Sequence, residues 1–317
     1  MYNYNKTDLE RIASGTAFIR DNLEKVFRLC DILKHLNENP LFAEHLALKG
    51  GTAINLTVFN LPRLSVDIDL DFTKECSREE MMTIRENINQ DFLNYMFTQG
   101  YALSPNMKSP HSLDSWVFYF QNAGGNKDNL KVEINYSLRN HILPIVEKKV
   151  NIDFLQFDSE VKTLSTLELF GSKIKALIER KAPRDLYDIH NMLRYNIIHP
   201  DELDILRKIV LFYLAVGGSD KPSSGYSFES IDNLKFAQIR SSLLPVLKKS
   251  ERFDFESAKV EVKVFLMKLM VFTEEEKSFI EDFNKNVYRP ELLFEDAEIV
   301  ERIKDHPMAI WKMRNNK

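Results

Sequence analysis

Residues 48–72 read LKGGTAINLTVFNLPRLSVDIDLDF, and the last six letters place Asp67, Asp69 and Asp71 at alternate positions. In a β-strand, alternate side chains share a face at ~3.3 Å rise per residue, so these carboxylates stand roughly 7 Å apart on one side. Val66, Ile68, Leu70 and Phe72 take the other side. Like charges at that spacing repel by roughly 2–3 kcal/mol at an effective dielectric of ~20, unless water or a cation relieves them. Upstream, Leu46–Lys49 reads as a brief strand entering the Gly50–Gly51 turn. Thr52 is placed to cap the helix that follows, which is expected to run to about Phe59. The stretch is therefore strand, Gly-Gly turn, helix, acidic strand.

Composition bounds what such a unit serves. The chain has 317 residues, 44% hydrophobic and 28% charged, and a formal net charge of −4. That is an ordinary globular composition with no global basic field for nucleic acid. Basic residues do gather locally, as Lys173, Lys175, Arg180, Lys181 and Arg184. Cys30 and Cys76 are the two cysteines; their spacing fits neither a metal site nor a disulfide framework, and both are read as reduced. No signal segment and no apolar run of ~18 residues is found, so a cytoplasmic protein with no membrane partner is expected.

The rest of the chain divides into an N-terminal helical segment (1–37), a mixed α/β core (38–165) and a helical C-terminal domain (166–317). Apolar periodicity predicts one or two helices over 6–37, a short one near 41–45 and another over 79–99. SWVFYFQ (115–121) and LKVEINY (130–136), joined by NAGGNKDN, predict a hairpin that presents Glu133 on a second strand. From Thr166 the pattern is helical: TLELFGSKIKALIERK, then RDLYDIHNMLRY after Pro183, then 201–216, 231–247, 256–269 and 274–286. The turn-rich GGSDKPSSG at 217–225 separates two of these.

Three sets of residues carry chemistry. Asp67 and Asp69 can hold Mg²⁺, which takes one or two carboxylates and keeps its remaining positions for water and phosphate; Glu133 would make a third ligand. The competing reading is a solvated edge strand whose charges discourage aggregation. Asp71 is read as a solvated residue at the strand's end. Gly50 and Gly51 precede a helix N-terminus whose amides can face phosphate, or they form a plain tight turn. On later helices, Lys173 offers a point charge for a nucleotide phosphate and Asp188 can orient it or contact the nucleoside; the alternative is an ordinary ion pair between helices. Ser65 is a strand-start hydroxyl or the acceptor of a transferred group. Absence of GxxxxGK[ST], GxSxG and HExxH argues against P-loop, elbow-serine and zinc hydrolases.

The order GGT, helix, SxDxD strand, carboxylate strand resembles the nucleotidyltransferase fold of the polymerase β superfamily. LKGGTAINL with PRLSVDIDLDF, SKIKALIERKAPRDLYDIHNML and the C-terminal VYRPELLFEDAEIVERIKDHPMAIWKM are similar to the AbiEii/AbiGii toxins of type IV toxin–antitoxin systems, over most of the chain beyond residue 40. The resemblance implies an α/β (α+β) fold with a mixed sheet, N-terminal helices and a helical C-terminal domain that contributes to the active site. It implies nucleotide binding by Gly50, Gly51, Thr52, Ser65 and Lys173, metal binding by Asp67, Asp69 and Glu133, and catalysis by Asp67, Asp69, Lys173 and Asp188. Asp71 matches no ligand. The activity implied is transfer of a nucleotide from an NTP, with Mg²⁺ or Mn²⁺, onto RNA, in characterised members the 3′ end of tRNA. The implied partner is a cognate antitoxin that need not form a stable complex. An idle nucleotide-binding module and a transferase acting on a protein hydroxyl remain the alternatives.

Overall fold

The computed structural model describes residues 4–105, 112–150, 152–155, 157 and 159–315. The described residues fall into two compact units, the first within Met1–Arg139, Ile145–Leu164 and Pro245–Glu251 and the second within Asn140–Pro144, Ser165–Leu244 and Arg252–Lys317.

The first unit is built on a mixed sheet of seven described strands: β1 (Leu46–Lys49), β2 (Asp67–Phe72), β3 (Ala102–Leu103), β4 (Leu113–Gln121), β5 (Lys127–Asn135), β6 (Val146–Lys149) and β7 (Glu160–Thr163). Their spatial order is β3-β4-β5-β2-β1-β7-β6. The acidic strand β2 is thus the middle one, antiparallel to β1 with Lys49 opposite Asp69, and parallel to β5 with Glu133 opposite Asp69. This overturns the edge-strand reading of the aspartates, because a strand paired on both sides has no free backbone row to protect. Ile68, Leu70 and Phe72 are buried as alternation demands.

Asp71 departs from expectation. It is buried, and Lys49 Nζ donates to its Oδ1 at 2.5 Å. The reason is position: Ala47 of β1 stands opposite Asp71 and Lys49 lies two residues along on the same face. A carboxylate removed from water there needs a partner of opposite charge.

The expected hairpin forms, with longer strands than periodicity suggested. β4 and β5 pair from Leu113↔Asn135 to Gln121↔Lys127. The connecting turn shortens to 122–126 because the Asn122 side chain accepts the amides of Gly124 and Asn126. The helix Arg78–Thr98 buries Met81, Ile88, Phe92 and Met96, with Phe92 packed on Trp116 and Phe118 of β4. Its buried Arg85 makes two bonds to Asp114 of β4, at 2.9 and 2.6 Å. Helices Lys6–Thr16 and Arg20–Glu38 pack within this same unit, the second against β7.

The second unit is helical around the contact of Thr166–Arg180 with Leu203–Gly217. Gly171 makes that contact close: a Cβ there would lie 2.4 Å from Ile209 Cγ2. Helices Pro183–Arg194, Phe255–Leu269 and Glu274–Asn284 follow expectation to within a few residues. The continuous helix expected over 231–247 does not form. Short turns form at Glu229–Ile231 and Leu244–Val246 and one helix at Phe236–Ser242, with Pro245 limiting the helix at its C-terminal end. The chain then passes into the first unit, where the Val246 carbonyl accepts the Leu64 amide at 2.8 Å. No helix among the described residues is long and apolar enough to cross a membrane.

Candidate active site

β1 ends at Lys49, and the chain turns directly into a helix that starts at Gly50 and continues through one π-type turn, Ile54–Val58. Gly50 has φ +68°, a left-handed conformation that costs other residues roughly 1–2 kcal/mol. Space forbids them as well: a Cβ on Gly50 would stand 2.6 Å from Asp69 Oδ2. A Cβ on Gly51 would meet Arg63 Nη2 at 2.8 Å and Ser65 Oγ at 3.1 Å. Two missing side chains thus let Asp69, Ser65 and Arg63 close around the turn, while the first helical amides have no partner within the helix.

Thr52 is not the cap that its position suggested. The helix has already begun before it, with Lys49 at the cap position and no side-chain capping bond. Thr52 is buried, and its hydroxyl donates to the Asp67 carbonyl at 2.5 Å. It ties the turn to the acidic strand.

Ser65, Asp67, Asp69 and Glu133 are all partly exposed. Glu133 sits opposite Asp69 in the parallel ladder, with its carboxylate 2.9 Å from Lys131 Nζ. Among the described residues no group of three or more His, Cys, Asp or Glu is arranged to hold a metal ion. What the structure presents is the pair Asp67 and Asp69, with Glu133 engaged by a lysine. A pair fits a hard cation that takes one or two protein carboxylates and completes its shell with water and phosphate oxygens.

Arg63 was not singled out by sequence reasoning. It is almost fully buried, donates from Nη1 to the Leu64 carbonyl at 2.9 Å, and brings Nη2 to Gly51. Its parity was the available signal: Arg63, Ser65, Asp67 and Asp69 alternate along PRLSVDID.

The second cluster lies in the helical unit. Lys173, on Thr166–Arg180, places Nζ 3.1 Å from Asp185 Oδ1 and 3.2 Å from Asp188 Oδ2, both on Pro183–Arg194. All three are buried. Asp185 also takes a two-point contact from Arg180, at 2.6 and 2.8 Å. Burial alone would raise the Asp185 carboxyl, but Lys173 and Arg180 outweigh it and hold it below its ordinary value. The ion pair foreseen between Lys173 and Asp188 is present, and Asp185 is a second anchor that spacing left unassigned.

A strand, a Gly-Gly turn, a helix and a DxD strand at the centre of a mixed sheet define a nucleotidyltransferase fold. Residues 31–283 match the family described as Nucleotidyl transferase AbiEii toxin, Type IV TA system, and the chain belongs to that family. It is a nucleotidyltransferase toxin of a type IV toxin–antitoxin system, which implies an NTP substrate and an antitoxin counterpart. Among solved structures it is similar to MenT4, a nucleotidyltransferase toxin from Mycobacterium tuberculosis H37Rv, with a TM-score of 0.65 and 13% identity over 97% of this chain and 99% of that one. A search of curated proteins gave no match.

Proposed function

We propose that this chain transfers a nucleotide from an NTP to the 3′ end of an RNA, with tRNA as the acceptor. The observation that carries the reading is the fit of Asp69 against the Cβ-less Gly50, which sets a carboxylate beside backbone amides suited to phosphate. The acceptor's 3′-hydroxyl oxygen bonds to the α-phosphorus, the bond from that phosphorus to the β-phosphate oxygen breaks, and pyrophosphate leaves as the hydroxyl proton is lost.

Asp67 and Asp69 would hold Mg²⁺, or Mn²⁺ in its place. When bound, the ion supplies charge neutralisation at the phosphates and lowers the pKa of the attacking hydroxyl. The chain's own contribution is positioning and electrostatics. Gly50 and Gly51 offer amides without side-chain obstruction, and Thr52 holds their helix to the strand that bears the aspartates. In the helical unit, Lys173, its ammonium held by Asp185 and Asp188, would be the cation for a nucleotide phosphate, a role drawn from the family resemblance. Ser65, whose Oγ lies against Gly51, favours a second reading in which a protein hydroxyl is the acceptor.

Incubation with each labelled NTP, Mg²⁺ and total cellular RNA tests the reading. Labelled RNA of tRNA length supports it. Label that stays on the protein, with a nucleotide-sized mass increment at Ser65, replaces it by the second reading.

A further inference from the structure

The acidic face of the sheet carries charge on two neighbouring strands. Asp67 and Asp69 of β2 stand opposite Lys131 and Glu133 of β5 in the parallel ladder. Opposed residues point to the same side, and the two strands run ~4.8 Å apart, so three carboxylates and one ammonium share a small patch. Lys131 Nζ lies 2.9 Å from Glu133 Oε2, the two side chains being 42% and 25% exposed. An ion pair this open to water adds little to folding. Its consequence falls on the patch in which it stands.

Among the described residues of β1, β2, β4 and β5, Glu133 is the one remaining carboxylate that this face could offer to a metal beside Asp67 and Asp69. β4 brings Ser115 opposite Glu133 and Val117 opposite Lys131. Its Asp114 points to the other face, where Arg85 binds it. Asp71, next along β2, is buried and paired with Lys49.

Two divalent ions held ~3.5–4 Å apart need carboxylates for both, and each ion takes one or two. With Glu133 bound to Lys131, the pair Asp67 and Asp69 is left, which is enough for one ion. The ammonium also repels a second dication brought to the same patch.

We infer that Lys131 takes the place of a second metal ion: its ammonium keeps Glu133 out of the coordination sphere, so that Asp67 and Asp69 hold a single divalent cation. This rests on the transferase reading, in which the two aspartates bind metal.

Equilibrium dialysis of the full chain against Mn²⁺ alone, up to millimolar free ion, counts the ions bound. The count that matters is the number of ions that adding Asp69→Ala removes. The parent should bind one such ion, and Glu133→Gln should leave that count unchanged. Lys131→Gln frees Glu133 and should bind two. Lys131→Arg, which keeps the positive charge, should return to one, and so should Lys131→Gln combined with Glu133→Gln. Circular dichroism checks that each variant is folded, and both side chains are partly exposed.

Two ions on the parent, both removed by Asp69→Ala, overturn the inference and leave the transferase reading standing. A Lys131→Gln variant that still binds one ion does the same. A parent that binds no ion removes the metal reading of Asp67 and Asp69, and the role of Lys131 falls with it.

Discussion

The carboxylate of Asp69 occupies the space a side chain on Gly50 would need, with Oδ2 2.6 Å from the position of a Cβ there. Gly50→Ala therefore meets two penalties, the left-handed backbone at φ +68° and the collision with Asp69. The variant should lose about 1–2 kcal/mol of stability from the backbone term, and transfer should fall by about a hundredfold as Asp69 is displaced. Melting temperature and single-turnover rate together test this, and full activity in the Gly50→Ala variant contradicts the assigned geometry.

The three aspartates of DIDLDF should separate by phenotype. Asp71 is paired with Lys49 inside the unit, so Asp71→Asn leaves a lysine without its counter-charge and should cost on the order of 2–3 kcal/mol in urea unfolding. The folded fraction should keep nucleotide transfer. Loss of transfer with unchanged stability would give Asp71 the role assigned to its neighbours.

Asp185 ties acid stability to the Lys173 cluster. Its carboxyl is held below its unfolded value near 3.8. A depressed folded value means the stabilisation is present above the unfolded pKa and lost as pH falls through the folded one. Asp185→Asn should thus be destabilised on the order of 3 kcal/mol at pH 7, with the gap to the parent closing as pH drops below about 4. A gap that stays constant down to about pH 2.5 in denaturant titrations contradicts the charge pairing.

Gly171→Ala tests the packing of the helical unit. The added methyl would lie 2.4 Å from Ile209 Cγ2 on the facing helix. Overpacking of that kind costs roughly 1–3 kcal/mol, so the melting temperature should fall despite alanine's better helix propensity. A rise would mean that the helices separate freely at this point.

Much of this arrangement was legible because local patterns were strong. Alternation marked β2 and the β4–β5 hairpin, the GG pair marked the turn, and Pro183 marked the start of its helix. What escaped depended on partners distant in sequence. Asp71 read as solvated because its lysine enters from β1, and the central placement of β2 rests on pairing with β5, which lies some sixty residues downstream. Thr52 looked like a cap because spacing does not disclose that its hydroxyl reaches the Asp67 carbonyl. Arg63 went unnoticed since a lone arginine before an acidic strand is commonplace; its burial against Gly51 is what distinguishes it. Periodicity over 231–247 suggested one helix; only Phe236–Ser242 forms, and Pro245 with the bond of the Leu64 amide to the Val246 carbonyl ends it.

Asp67 and Asp69, set against the Gly50–Gly51 turn, are the proposed centre of nucleotide transfer. Asp69→Ala removes a partly exposed carboxylate and little core volume, so it should fold normally by circular dichroism. The most direct measurement is release of pyrophosphate and labelling of RNA by this variant beside the parent, with NTP and Mg²⁺ in excess. Both signals should disappear in the folded variant. Pyrophosphate release and RNA labelling at the parent's rate would place the chemistry elsewhere in the chain.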